Sequence, residues 1–152
     1  MRDDNDYMRL ALAEAAKAAE AGEVPVGAVV VAPDGDVIAA AHNAPVGSHD
    51  PTGHAEIRAL RDAARLIGNY RLTDMMLFVT LEPCAMCAGA ISHARIARLV
   101  YAADDPKGGA VMHGPRFFEQ PTCHHRPVVE QGPFGEDAAA MLKDFFRARR
   151  KS

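Results

Sequence analysis

Residues 75–93 read MMLFVTLEPCAMCAGAISH and contain the strand and the helix from which the fold can be predicted. Residues 75–81 form a nearly unbroken apolar run, which is typical of a strand buried on both faces of a sheet. Pro83 suits the first turn of a helix, so residues 84–93 are predicted to be helical. A strand followed directly by a helix indicates a parallel crossover and therefore an α/β fold.

The sequence on either side of this stretch predicts further helices and strands. Apolar side chains recur every three or four residues in the predicted helices, and β-branched runs bounded by turn residues indicate strands. In chain order the elements are helix 7–21, strands 24–32 and 36–41, helix 53–67, strand 75–81, helix 84–93, strands 99–102 and 127–131, and a basic helix at about 136–150. Because the first two strands form a hairpin and the later ones need crossovers, this order predicts an α/β fold, a three-layer α/β/α sandwich around a central mixed five-stranded sheet.

Gly27 lies inside the first predicted strand. A glycine in a strand interior has no side chain to pack, and it marks a bulge or a close approach to the backbone. We therefore expect a bulge at Gly27 or a ligand that passes close to it.

Length and charge limit the possible classes of protein. A chain of 152 residues, 49% hydrophobic and 24% charged, fits one domain spanning residues 1–152. A net charge of −3 gives no global basic field, yet basic residues concentrate near the C-terminus. These are Lys143, Arg147, Arg149, Arg150 and Lys151. The asymmetry indicates a local anionic contact or a solvated helix end.

The sequence also limits the compartment. Residues 1–6 are polar and acidic, unlike a signal peptide, and no run approaches the roughly 20 apolar residues that span a bilayer. We expect a cytoplasmic protein with no membrane contact. Its three cysteines cannot all pair, so reduced thiols are available for metal or redox chemistry.

Two short motifs carry groups suited to a metal ion. Cys84 and Cys87 lie on one face of a predicted helix, near an N-terminus that favours thiolates. His54 is the natural third ligand, because zinc binds sulfur and imidazole together. These three ligands leave one position for water, and Glu56 supplies an unligated carboxylate nearby. That arrangement is typical of a catalytic zinc site.

Other interpretations of the cysteines must be compared with this one. A C-x-x-C motif alone also fits a redox pair or half of a structural zinc site. A structural site needs a fourth ligand, for which Cys123, His124 or His125 can be proposed. The combination of H-x-E with P-C-x-x-C is more specific, because it is the established signature of zinc-dependent nucleobase deaminases.

With these motifs the chain resembles the bacterial tRNA-specific adenosine deaminases, within the cytidine deaminase superfamily. The zinc motif indicates only the superfamily, whereas residues 24–27 (Val-Pro-Val-Gly) and the Phe-Phe-Arg tail at 145–147 indicate tRNA editing. The resemblance covers nearly the whole chain, through residues 23–29, 43–45, 49–56, 69–72, 79–90 and 145–150.

The resemblance implies a cytidine deaminase-like fold, a homodimer and an activity: hydrolytic deamination of adenosine to inosine at the wobble position, 34, of a tRNA anticodon. It implies one zinc ion per subunit bound by His54, Cys84 and Cys87, with Glu56 as the proton shuttle. The implied partner is the anticodon stem-loop of a tRNA. The residues implied to bind it are Asn43, which would hydrogen-bond the flipped base, Asp105 and Lys107 in a loop beside the pocket, and Phe146, Arg149 and Arg150 on the C-terminal helix.

Two alternative functions remain open at this point. A deaminase of a free nucleobase or nucleoside, guanine or cytosine, would use the same metal centre, but a free base needs no phosphate-binding helix. A non-enzymatic zinc module that binds RNA would have no use for the unligated Glu56. Glu82 is a rival carboxylate, and we assign it a packing or hydrogen-bonding role because it precedes Pro83 outside the H-x-E unit.

Overall fold

A computed structural model describes residues 2–150, so Lys151 of the basic tail lies outside the described residues. Within that range the chain forms helices and strands in the predicted order. The bounds are α1 Asp4–Glu20, β1 Gly27–Val31, β2 Val37–His42, α2 Ala55–Ile67, β3 Met76–Leu81, α3 Ala85–Ala94, β4 Arg98–Ala103, a short 3-10 helix Phe117–Glu119, β5 Val128–Gln131 and α4 Gly135–Arg150. None of the helices in residues 2–150 combines the length and the apolar character needed to cross a bilayer.

The five strands form one mixed sheet in the order β2-β1-β3-β4-β5. Strand β1 pairs antiparallel with both β2 and β3, whereas β3, β4 and β5 run parallel. The parallel pairs are joined by crossovers, as the sequence predicts. The prediction of an α/β fold with a mixed five-stranded sheet is therefore confirmed.

Helices cover both faces of this sheet. On one face Leu77 of β3 packs in a buried cluster with side chains of α2 and α3, including Leu60 and Ile91. On the other face Phe78 packs with side chains of α1 and α4, including Met8. Adjacent residues of β3 thus point to opposite layers, as the strand period of two requires. Full burial of each such side chain contributes about 1.5–3 kcal/mol to stability.

Helix α1 begins three residues before the predicted start. Asp3 caps it: the Asp3 carboxylate accepts from the Asp6 amide and the Asp6 carboxylate accepts from the Asp3 amide, each at 3.0 Å. This reciprocal capping box satisfies two amide donors that the first turn leaves unpaired. The apolar periodicity misses this turn because its residues are polar.

The prediction of a bulge at Gly27 is wrong. Gly27 pairs regularly with His42, and the register of this hairpin shifts between Val30 and Val31 instead. The close neighbour of Gly27 is the backbone of helix α1.

Candidate active site

Two helix N-termini meet on the α2–α3 side of the sheet. His54 is the N-cap of α2 and Cys84 is the N-cap of α3, and both have extended backbone angles. Neither side chain caps its own helix, although N-cap side chains often do so. Both side chains are therefore able to bind a ligand in the space between the two helices.

The imidazole of His54 lies next to both cysteines in this space. Its Nδ1 atom is 3.7 Å from Cys84 Sγ and 3.5 Å from Cys87 Sγ. A tetrahedral zinc ion with nitrogen at about 2.0–2.1 Å and sulfur at about 2.3 Å would hold them about 3.5–3.6 Å apart. Among residues 2–150, these three form one of two groups whose ligand atoms all lie within 4.8 Å of one another. Both the spacing and the chemistry of this donor set fit zinc.

The two thiols shift each other's pKa in opposite directions. The hydrogen bond from Cys87 is the main cause that lowers the pKa of Cys84 to about 4, with His54 as a second donor. The same hydrogen bond is the main cause that raises the pKa of the Cys87 thiol. A bound cation would favour loss of the Cys87 proton, because metal ligation requires thiolates.

Glu56 lies in the first turn of α2 and is buried, with 4% of its surface exposed. Burial is the main cause that raises the pKa of this carboxyl to about 7. A carboxyl group with a pKa near neutrality is suited to accepting and returning protons. The structure thus brings Glu56 beside the His–Cys–Cys group without making it a member of that group.

A cavity of about 310 Å³ opens in front of this group. It is lined by residues that include His54, Glu56, Cys84, Asn43 and Asp105. Cys87 is fully buried and is not part of the lining. Other lining residues are Val24, Val26, Leu81, Glu82 and Gly108. Lys107 is exposed and lies outside this lining.

A second cavity of about 220 Å³ adjoins the first. The two share Val24 and Asn43 in their walls. Helix α4 contributes Phe145, Phe146 and Arg149 to the second cavity. Two of the three α4 residues predicted to bind RNA, Phe146 and Arg149, therefore lie next to the cavity that contains Glu56. The third, Arg150, is exposed and outside the lining.

Arg149 also connects α4 to the N-terminal part of the chain. Its guanidinium donates to the carbonyl oxygen of Gly22 and lies 4.6 Å from the centre of the Phe145 ring. Gly22 follows helix α1, so this contact fixes the end of α4 beside the second cavity. The sequence motif indicates the basic charge of Arg149 but not this packing.

The residues Cys123, His124 and His125 do not complete the metal group. Cys123 is buried beside Ser92, with 3.6 Å between Sγ and Oγ, and His125 Nε2 donates to the Ile96 carbonyl at 2.8 Å. Among residues 2–150 the group at His54 contains only Cys84 and Cys87 in addition. The interpretation as a structural zinc site, with a fourth ligand from residues 123–125, is therefore wrong.

Comparisons with known proteins agree with this geometry. A sequence model of the MafB19-like deaminase family matches residues 2–150. The chain is 53% identical over 150 residues to the tRNA-specific adenosine deaminase of Agrobacterium fabrum, and the match covers 99% of this chain and 98% of that protein.

Two solved structures are similar as well. One comes from work on A-to-I editing by tRNA:A34 deaminases at the wobble position of transfer RNA. It matches with a TM-score of 0.89 and 54% identity, over 91% of this chain and 99% of that one. Guanine deaminase from Bacillus subtilis matches with a TM-score of 0.65 and 30% identity, over 99% of this chain and 96% of that one. The predicted resemblance is confirmed: the chain belongs to the MafB19-like deaminases and, among them, to the family of tRNA-specific adenosine deaminases.

Proposed function

We propose that the protein is a zinc-dependent hydrolase that converts adenosine to inosine at the wobble position, 34, of a tRNA anticodon, and that its 152 residues form one deaminase domain. The observation that carries this proposal is the pair of adjoining cavities. One is lined by Glu56 and by the metal-type ligands His54 and Cys84, and the other is lined in part by the basic helix α4. A free base needs only the first cavity, whereas a polynucleotide can occupy both.

One zinc ion per subunit would be held by His54, Cys84 and Cys87. When bound, zinc supplies Lewis acidity, which makes water nucleophilic at neutral pH. The helix N-termini that carry His54 and Cys84 present partial positive charge to the two sulfur ligands. The protein therefore stabilises thiolates at the position where a cation needs them.

Glu56 is the proton carrier of the proposed reaction. Its carboxylate accepts a proton from the attacking water and passes it to the adenine ring nitrogen N1 as the C6–O bond forms. It then accepts the proton of the new C6 hydroxyl group and passes it to the amino group, so that the C6 carbonyl forms as the C6–N bond breaks and ammonia leaves. The side chain is buried, so it exchanges protons with groups inside the cavity rather than with bulk solvent. Positioned acid–base catalysis of this kind contributes about 10²–10⁴ in rate.

Asn43 is the proposed base-binding residue. It is buried in the shared wall of the two cavities, and its side-chain amide can both donate and accept hydrogen bonds. Asp105, in the loop that follows β4, lines the same cavity. Because a stacked base cannot reach a recessed site, the target nucleotide must be flipped out, which costs least in a loop.

A tRNA extends beyond the target base, so residues outside the first cavity also contact it. We assign Phe146, Arg149 and Arg150 to the anticodon stem-loop, because α4 adjoins the second cavity, and Lys107 to the rim of the first. Base stacking on aromatic rings and phosphate contacts to arginine are the usual sources of affinity for single-stranded RNA. With a tRNA substrate we place the reaction in the cytoplasm.

We further propose a homodimer that forms through the exposed face of α2 and α3. An apolar hollow there is lined by residues that include Ile57, Leu60, Tyr70 and Ala90. Tyr70 is 63% exposed and Leu66 is 67% exposed, so the hollow is flanked by exposed apolar surface, which is typical of protein–protein interfaces. Light scattering coupled to gel filtration should give twice the chain mass, and Tyr70→Asp should shift it toward the monomer.

The activity is tested with an anticodon stem-loop that carries adenosine at position 34. The protein, loaded with zinc, is incubated with this RNA, with the same RNA carrying its adenosine in the stem, and with free adenine, guanine, cytosine and adenosine. We expect inosine in digests of the first RNA only. Release of ammonia from free guanine without inosine in the RNA would replace this proposal with the free-base deaminase.

A further inference from the structure

Glu82 is a buried carboxylate that the proposed reaction does not use. It follows β3 directly, precedes Pro83 and Cys84, and has 2% of its surface exposed. An ionised carboxylate at such a depth is costly unless donors surround it. The donors that surround it come from one segment, residues 105–113.

Both carboxylate oxygens of Glu82 accept hydrogen bonds from this segment. Oε2 accepts from the amides of Val111, Met112 and His113 at 3.2, 3.0 and 3.1 Å. Oε1 accepts from the Asp105 amide at 3.0 Å and from His113 Nδ1 at 2.7 Å. Since an ionised carboxylate can only accept, the proton on the imidazole lies on Nδ1. Five donors thus join both ends of the segment to a single side chain.

The middle of the segment is fitted to the same carboxylate. A Cβ atom on Gly109 would lie 2.5 Å from Glu82 Oε2 and 2.5 Å from the Asp105 carbonyl oxygen. The next amide, of Ala110, donates to the Pro83 carbonyl at 2.9 Å. Only glycine therefore allows the loop to wrap this closely around Glu82.

The same donors argue against a second metal ion at this place. Glu82, Asp104 and His113 have ligand atoms within 4.8 Å of one another. However, the Glu82 oxygens already face four backbone N–H groups, whose positive ends would repel a cation. The convergence of amides is a site for an anion, and the Glu82 carboxylate is that anion.

The loop fixed in this way is one wall of the catalytic cavity. Asp105 and Gly108 belong to the loop and line the cavity that contains Glu56. Asp105 is itself ordered within the loop, where its Oδ1 accepts from the Gly108 amide at 3.0 Å. The position of this wall therefore depends on Glu82, which lines the cavity next to the loop.

We propose that Glu82 is a positioning residue, which holds loop 105–113 as the substrate-binding wall of the cavity. The expected change in KM rests on the proposed function, whereas the expected loosening of the loop does not. Glu56 and the metal-type ligands are held by α2 and α3, so they keep their geometry when the loop loosens. Removal of the Glu82 carboxylate therefore raises KM, because only molecules with an ordered loop bind substrate well, and it changes kcat little.

Two variants disturb the contact from opposite sides. Glu82→Gln replaces one acceptor oxygen with an NH₂ group, so that buried amides on one side have no acceptor. Gly109→Ala leaves Glu82 intact and displaces the loop. The matched control is Glu14→Gln, since Glu14 is also buried but lies on α1, across the sheet, with Lys17 Nζ at 2.7 Å. The Gly109 variant keeps the test decisive if Glu82→Gln does not fold.

The experiment combines hydrogen exchange of amides 105–113, zinc content, and steady-state kinetics on the stem-loop. We expect faster exchange in this loop for both variants, full zinc, a KM raised about tenfold and a kcat within about threefold of the parent protein. Glu14→Gln should change none of these. Unchanged exchange in both variants, or a fall in kcat at constant KM, would overturn the proposal.

Failure of the proposed function gives a different result. Exchange is measured without substrate, so it tests the loop contact even if the stem-loop is not deaminated. If the parent protein acts on a free base instead, the same split between KM and kcat is measured with that base.

Discussion

Gly27 of strand β1 lies directly against Ala11 of helix α1. A Cβ atom on Gly27 would come within 1.9 Å of the Ala11 carbonyl oxygen and 2.7 Å of the Ala15 amide nitrogen. Real Cβ atoms do not approach backbone this closely, so the helix rests on the strand through main-chain contact. This contact sets the spacing between α1 and the sheet, and through the sheet it supports β3, which leads to Cys84.

The Gly27→Ala variant should be destabilised by about 3 kcal/mol or more, because the neighbouring atoms belong to rigid backbone. At about 2–4 °C for each kcal/mol in a chain of this size, thermal unfolding detects the change easily. Gly89→Ala is the control: it lies in α3, and the nearest atom to its Cβ would be 3.9 Å away. We expect it to be neutral or slightly stabilising. Equal melting temperatures for the two variants would contradict the close packing.

Gly27 also shows where sequence reasoning fails. The glycine is recognisable as a close-approach position, but which element approaches it depends on how α1 packs across the sheet, where Ala11 meets the strand. Strand and helix order, in contrast, follows from local periodicity and turn residues, which is why the sheet could be predicted. The start of α1 at Asp4 depends on a capping box, whose polar residues carry no apolar pattern.

The metal ligands are tested by replacing each cysteine. Cys84→Ser and Cys87→Ser should each lose most of the bound zinc, because a neutral hydroxyl is a poor ligand compared with a thiolate. Plasma emission spectroscopy on dialysed protein measures the metal. Cys123→Ser is the control, since Cys123 lies beside Ser92, and it should retain one zinc per chain. Full zinc in both ligand variants would remove this site.

The Glu56→Gln variant should keep its fold and its zinc but have at least about 10²-fold lower activity. Glutamine matches the shape of glutamate and carries no charge into a buried position, so stability should stay equal or rise. It cannot accept a proton from water, so catalysis fails. Inosine formation and zinc content are measured on the same preparation. Near-normal turnover would transfer the proton-carrying role to another group.

The candidate site was only partly predictable, because the sequence reveals local spacing but not contacts between distant segments. His54, Glu56, Cys84 and Cys87 are recognisable because their spacing is local to two short motifs. The hydrogen bonds between Glu82 and residues 105–113 span 23 to 31 positions, and no spacing rule connects them. A buried carboxylate before Pro83 indicates a hydrogen-bonding role, but its donors emerge only from the fold.

Stability toward acid depends on Arg98, which joins α1 to β5. Arg98 Nη2 lies 2.6 Å from Asp4 Oδ2 and 2.8 Å from Glu130 Oε2. The Arg98 guanidinium lowers the pKa of both carboxyl groups. A carboxylate whose pKa is lower in the folded state stabilises the protein above its unfolded pKa of about 4, and this contribution disappears as pH falls through the folded pKa.

The double variant Asp4→Asn, Glu130→Gln should therefore melt about 2–4 °C below the parent protein at pH 7, because partly exposed ion pairs contribute little individually. At pH 3 and below the difference should shrink, since the parent carboxyl groups are then being protonated as well. Melting temperatures across pH 3–7 check this. A difference that stays constant over this range would assign the effect to packing rather than to charge.

The basic end of α4 is tested by the salt dependence of RNA binding. Arg150 is exposed, whereas Arg149 donates to the Gly22 carbonyl and packs on Phe145. Arg150→Ala should weaken stem-loop binding and lower the slope of log K against log salt by about 0.7–0.9 for each phosphate that the arginine neutralises. Its melting temperature should stay within about 1–2 °C of the parent value.

Arg149→Ala should weaken binding more, because the end of α4 then separates from Gly22 and the second cavity changes shape. It should therefore raise the KM for the stem-loop even at high salt, where the effect of Arg150 is screened. Arg65→Ala is the control: Arg65 is an exposed arginine near the end of α2 that lies far from Glu56, and it pairs with Asp62 at 3.3 Å. If all three variants gave the same salt slope as the parent protein, the basic residues of α4 would be a solvated helix end. The second cavity would then have no RNA to bind, and a free-base deaminase would explain the site better.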